Sequence, residues 1–325
     1  MKRVEYLDVA KGILIITVVL CHSSFKLGYV TYWFHMPAFF IISGLLYKDK
    51  FNFKKQAIKF FVPYLAFTFL DILIGFLTSP DEASIANFIL YFNRHVLSGK
   101  FIPGAFWFIP CLFLTKAIFA FLKRYLKDVY IGIIAIALYI FAHVYSMEII
   151  PANVAEITKD LWIPWNIDAL LITIPYYALG YFSKNYIEIF TTKKAFKKSL
   201  IFAIIFVVLN FALDIDYFLN IKFSEFKFIL LDLVVPIGFT VLIFSLSTNY
   251  IKGNTKKILA LIGERTLIIM YLHRPIANFF DAYFSIDFII YTIIGVTIPC
   301  VITKYIRKKE LLAFIFEGKE KRKAK

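Results

Sequence analysis

The sequence predicts an all-α, polytopic integral membrane protein of about ten transmembrane helices. Three observations predict it. Of the 325 residues, 60% are hydrophobic, more than a soluble domain can cover with polar surface. The apolar residues gather into segments near the length of about 20 residues that spans a bilayer, and short connectors nearly use up the rest of the chain. The lysines and arginines collect in every second connector, the pattern that orients helices in a membrane.

The expected spans are residues 6–24, 34–47, 60–78, 106–122, 129–147, 168–183, 199–218, 226–247, 258–280 and 288–306. The first follows Lys2 and Arg3, and Asp8 and Lys11 interrupt it. These charges, and the lack of a small-x-small site after the apolar run, predict a retained helix rather than a cleaved leader. The second span is short and holds Pro37 and Gly44, two residues able to bend it. Cations then crowd the connectors after spans two (Lys48 to Lys59), four (Lys123 to Lys127), six (Lys184 to Lys198) and eight (Lys252 to Lys257). They return after span ten, from Arg307 onward. The intervening connectors are cation-poor: Lys26 after span one, Arg94 and Lys100 after three, Lys159 after five, Lys222 after seven. Both termini are therefore expected in the cytoplasm. Residues 1–310 read as one transmembrane domain and 311–325 as a basic cytoplasmic tail. Residues 85–97 read as a short interfacial helix in an outer loop.

The net charge of +15 does not point to nucleic acid, because the cations lie in short runs between apolar segments. The three cysteines, Cys21, Cys111 and Cys300, all lie inside apolar segments and suggest neither a disulfide framework nor a metal site. The chain has no Gly-rich phosphate loop, His-Glu-x-x-His or Gly-x-Ser-x-Gly sequence, so no metal or permanently bound cofactor is expected.

Ionisable groups inside a membrane helix are costly and are functional suspects by default. Span one holds Asp8, Lys11 and His22. Lys11 and His22 return to nearly the same helical face, about 16 Å apart along the axis. Asp8 lies too far along the helix to orient His22, and is expected to pair with Lys11 or Arg3. The start of span two, with Trp33 and His35, should lie at the depth of His22. Two neighbouring histidines can supply a base and an orienting group. Trp33 alone reads as an interfacial belt aromatic, as do Trp162 and Trp165. Trp107, Asp168 and His273 converge on the same half of the expected bundle, where aromatic faces and a carboxylate suit sugar rings and hydroxyls. Asp168 also reads as a helix N-cap, and His273-Arg274-Pro275 as a kink.

At these residues the chain resembles the membrane acyltransferase 3 family, in particular its members similar to fucose 4-O-acetylase. Arg3-Val4-Glu5-Tyr6-Leu7-Asp8 looks like the family's Arg-x-x-x-Leu-Asp opening, and Lys11 with His22 matches its Arg/Lys-x10-His motif. Phe34-His35-Met36-Pro37, continuing to Ser43-Gly44, looks like the second-helix signature. Weaker similarities lie at Val62-Pro63-Tyr64, Phe106-Trp107, Trp165-Asn166-Ile167-Asp168, Leu179-Gly180-Tyr181 and Tyr271-Leu272-His273. One departure stands out: the Arg-x-x-Arg pair that many relatives carry near helix three is replaced by Lys54-Lys55-Gln56-Ala57-Ile58-Lys59.

The resemblance implies a multi-pass O-acyltransferase of the cell membrane, with acyl-CoA, usually acetyl-CoA, as donor. Its acceptor would be a hydroxyl of an exopolysaccharide, capsule or lipid-linked sugar. His22 is the expected general base, with His35 beside it. Lys11, Arg3, Lys55 and Lys59 are expected to meet the donor, and Trp107, Asp168 and His273 the acceptor. Asp8, Pro37 and Gly44 are expected to be structural. The alternative is a transporter or flippase for a lipid-linked sugar, which would also use intramembrane charges.

Overall fold

The computed structural model describes residues 5–97, 102, 104, 106–151 and 163–319. These form helices α1 Glu5–Leu20, α2 His35–Leu45, α3 Phe53–Thr78, α4 Ile85–Leu97, α5 Phe108–Tyr125 and α6 Asp128–Glu148. Then follow α7 Leu170–Ser183, the single turn α8 Ile187–Phe190, α9 Lys193–Ala212, α10 Leu231–Asn249, α11 Gly253–Gly263, α12 Thr266–Phe284, α13 Phe288–Ile306 and α14 Glu310–Glu317. One short hairpin, β1 Leu219–Asn220 with β2 Glu225–Phe226, lies between α9 and α10.

Among the described residues, five helices (α3, α6, α9, α10 and α13) are long and apolar enough to cross a membrane. Their outward faces are apolar: Ile133, Ile136, Ile140 and Phe141 of α6 are all exposed. Water would disfavour so continuous an apolar face, whereas lipid would not.

The first, seventh, eighth and ninth spans differ from the sequence expectation, each for a local reason. Helix α1 stops at Leu20 and tightens, with His22 and Ser23 donating backbone N–H to Val19 and Leu20. The side chains of Cys21 and Ser23 bond the carbonyls of Val18 and Leu20 there, competing with the regular ladder. Helix α9 ends at Ala212, well before residue 218, because Asp214 and Asp216 adopt left-handed backbone (φ 47° and 51°). Asn210 Oδ1 then accepts the Tyr217 N–H, and the chain enters the hairpin instead of beginning span eight at residue 226. The span expected over 258–280 is two helices. Between them, at Glu264–Arg265, the Arg265 guanidinium turns to the Cys300 carbonyl (2.8 Å).

Two helix crossings set the site's scaffold. A Cβ on Gly12 would lie 2.1 Å from the Leu259 carbonyl oxygen, and one on Gly263 would lie 1.8 Å from that of Asp8. Helices α1 and α11 therefore touch backbone to backbone. Gly44 and Gly180 do the same for α2 and α7, with 2.0 Å to the carbonyl oxygens of Tyr177 and Ile41. Only glycine permits such approach. Pro37 lies in the first turn of α2, where a missing N–H breaks no internal bond. Trp33, expected at the interface, is instead fully buried, edge-on to Phe206, Tyr217 and Phe239. Residues 310–317, at the start of the expected basic tail, form α14, which packs on α3. Arg307 grips Glu317 through Nε and Nη2 (2.6–3.0 Å).

Candidate functional site

Helices α1, α2, α5 and α12 line two cavities of about 410 Å³ each, placed end to end. Along α1, Lys11 faces one cavity, and Val18 and then His22 face the other. Along α2, His35 and Met36 face the histidine cavity, and Phe39, Ile42 and Ser43 the lysine cavity. On α5 the order is Phe108 and then Lys116, and on α12 it is Leu267 and then His273. Phe108 and Met270 line both spaces and are the partition between them. Lys11 and His22, expected to face one hollow, open onto two.

The histidine cavity brings together His22, His35 and His273. The His22 and His273 rings stack with centroids 5.2 Å apart. His273 Nδ1 lies 2.9 Å from the Ile269 carbonyl oxygen. A carbonyl can only accept, so Nδ1 carries the proton and the Nε2 of a neutral ring carries a lone pair. That Nε2 is buried and meets no hydrogen-bond partner. Two other histidines show what is missing. His95 and His143 also bond the carbonyl four residues back (2.8 Å each), but their Nε2 atoms meet Asp71 (2.8 Å) and Asp232 (3.1 Å). At His273 no such carboxylate is met among the described residues.

The rest of the wall includes Trp107, Tyr32, Asn220, Lys222 and Arg274. Lys222 sits in the hairpin loop, 221–224, and is fixed from behind. Its carbonyl accepts from Asn166 Nδ2 (2.6 Å), and its Nζ donates to the Ile102 carbonyl (2.9 Å). Asn166 holds left-handed backbone (φ 52°), a conformation that asparagine tolerates. Ser224, also left-handed, donates to Asp168 Oδ2 (2.5 Å). Burial, and then the neighbouring Arg274, push the Lys222 ammonium down to about 8. The hairpin is braced further by Ser146 Oγ, which accepts the Phe226 N–H (2.9 Å).

The lysine cavity presents Lys11, Lys48, Lys50, Lys59 and Lys116, with Gln56 and Ser43. No carboxylate lines it among the described residues. Lys11 is bonded to Asp8 (2.6 Å). A five-lysine basin suits a polyphosphate, and long flexible ammonium groups hold such charge without a fixed fork.

A family model described as an acyltransferase domain matches residues 4–304. The chain belongs to the acyltransferase 3 family. It is thus an acyltransferase and, with its lipid-suited helices, a membrane protein. No curated protein and no solved structure gave a match.

Within this acyltransferase domain the expected site residues separate by position. His22, His35, Trp107 and His273 meet in one cavity, and Lys11 and Lys59 in the other. Lys55 lines neither, and its backbone N–H is taken by the Asn52 N-cap of α3. Asp168 supports the hairpin from beneath instead of facing the cavity. Asp8 pairs with Lys11, and Arg3 lies outside the described residues. Sequence reasoning missed Lys222, Arg274, Tyr32 and Lys116. Lys116 carries a readable signal, an ammonium inside an apolar span, the same signal that singles out Lys11.

Proposed function

We propose that the protein is an O-acyltransferase of the cell membrane that moves an acetyl group from acetyl-CoA to a carbohydrate hydroxyl. The observation that carries the reading is the pair of cavities placed end to end, one cationic and one rich in histidine, sharing Phe108 and Met270 among the described residues. The lysine cavity receives the phosphates of CoA, and the thioester reaches past the partition. Trp107 and Asn220 offer the acceptor sugar an aromatic face and a hydrogen-bonding amide.

His22 removes the proton of the acceptor hydroxyl as the oxygen attacks the thioester carbonyl. An alcohol is too weak a nucleophile at neutral pH without such a base. The carbon–sulfur bond then breaks, and the proton passes from the imidazolium to the departing thiolate. His273, with its free Nε2 beside the His22 ring, holds the second proton position of the pair. In the reading about ten segments cross the bilayer, both termini lie in the cytoplasm and the lysine cavity opens to that side. The density of lysine and arginine in alternate connectors supports this orientation.

The test uses purified full-length protein, acetyl-CoA labelled in the acetyl group, and a surface-glycan extract. Label should appear on carbohydrate in a linkage cleaved by mild alkali, with one free CoA thiol released per acetyl moved. Label that stays on CoA, leaves as free acetate, or resists mild alkali on the glycan would overturn the reading.

A further inference from the structure

The histidine cavity holds two cations that the acyl-transfer chemistry does not use. Arg274 is half-buried and makes no hydrogen bond or ion pair among the described residues, while Lys222 gives its ammonium one neutral carbonyl. No carboxylate lines the cavity among the described residues. Two acidic groups beside the hairpin are turned elsewhere: Asp168 to Ser224, and Glu225 to Asn220 Nδ2 (3.1 Å).

Uncompensated charge held away from water is costly. Here the cost comes with a chemical penalty. A histidine acting as base gains a positive charge, and two nearby cations oppose the proton's arrival. A neutral sugar in this cavity would meet a hindered base, whereas an acceptor bearing its own negative group would neutralise the cations and release it. The bracing of Lys222 by Asn166, Ile102 and the Asp168–Ser224 bond is what a fixed anion contact needs, since a mobile lysine would lose entropy on binding.

We infer that the acceptor carries an anionic oxygen group, a carboxylate or a phosphate, which binds between Lys222 and Arg274 beside the hydroxyl to be acylated. This rests on the acyl-transfer reading for the identity of the site, but its test needs no acyl donor. Arg274 offers the planar fork that carboxylate and phosphate both accept, and Lys222 the point charge.

The test is quenching of tryptophan fluorescence in the purified full-length protein, with Trp107 in the cavity wall as reporter. Inorganic phosphate, glucuronate and glucose are titrated at constant ionic strength. At least one of the two anions should saturate while glucose does not. Saturation by glucuronate alone marks a carboxylate-bearing sugar, and saturation by phosphate alone a phosphorylated one. Lys222→Met and Arg274→Met should each weaken the anion at least tenfold, and Arg274→Lys, which keeps the charge, should recover part of the loss. Quenching by glucose equal to that by the anions, no saturation by either anion, or anion binding indifferent to both methionine variants would overturn the inference. A protein that binds anions in this way and transfers no acetyl would instead overturn the acyl-transfer reading and leave the anion site standing.

Discussion

The imidazole rings of His22 and His273 stack 26° from parallel with centroids 5.2 Å apart, although 251 residues separate them in the chain. Two imidazolium ions at that distance would repel each other, so the pair carries one positive charge at most during a turnover. His273 is held by the Ile269 carbonyl at Nδ1, and its Nε2 has no hydrogen-bond partner. His273→Ala should therefore lower acyl transfer by about 100-fold or more. The double variant with His22→Ala should be little worse than the more damaging single one, because the two rings act as a unit. Steady-state rates of the three variants check this; multiplicative losses would show two independent groups.

The lysine cavity predicts a donor phenotype. Lys59→Met and Lys116→Met should raise KM for acetyl-CoA several-fold and leave kcat nearly unchanged, since the phosphates are held alike in ground and transition states. The KM of the variants should also respond less steeply to salt than that of the parent.

The partition predicts the opposite phenotype. Phe108 and Met270, each 4% exposed, line both cavities where they meet. Met270→Trp should block the passage and lower kcat more than tenfold, with the dissociation constant of CoA unchanged. Calorimetric CoA titration beside a rate assay separates the two effects.

Lys222 gives a pH dependence. Its ammonium is pushed down to about 8, so the cavity loses one positive charge as the pH rises through that value. Facing it are Arg274, His22, His35 and His273. Glucuronate keeps one charge across this range. Its binding should therefore weaken as the pH rises from 7 to 9 in the parent protein and stay flat in Lys222→Met.

The remaining prediction concerns stability. His143 and Asp232 are 1% and 0% exposed, and both ring nitrogens of His143 face oxygen acceptors. Asp232 also takes the Phe228 N–H (3.0 Å), tying α6 and α10 to the segment just after β2. Asp232→Ala should cost about 3–5 kcal/mol, because it leaves its partner buried and alone. Replacing both by leucine should cost less than either single change to alanine. Unfolding in detergent, followed by circular dichroism, measures this.

How much of this the sequence carries depends on distance along the chain. Lys11, His22 and His35 are readable because each interrupts an apolar run and the α-helical repeat relates the first two. The interfacial-length helix over 85–97 appears as α4, Ile85–Leu97. The hairpin was not legible, because left-handed backbone at Asp214 and Asp216 ends a helix that its apolar pattern would continue. With it went the role of Lys222, which reads as a stray loop cation until Asn166 and Ile102 fix it across the fold. Arg274 reads as part of a kink until the α12 start at Thr266 sets its face. Asp168, expected to meet the acceptor, instead bonds Ser224, which lies on the unforeseen loop.

The central claim is that His22 accepts the proton of the attacking hydroxyl. Its most direct test is acetyl transfer from labelled acetyl-CoA to the glycan fraction that the parent protein labels, measured for His22→Ala. The account predicts a loss of about 100- to 10,000-fold, with CoA affinity and unfolding temperature unchanged. Transfer at the parent rate by a folded His22→Ala protein would contradict it.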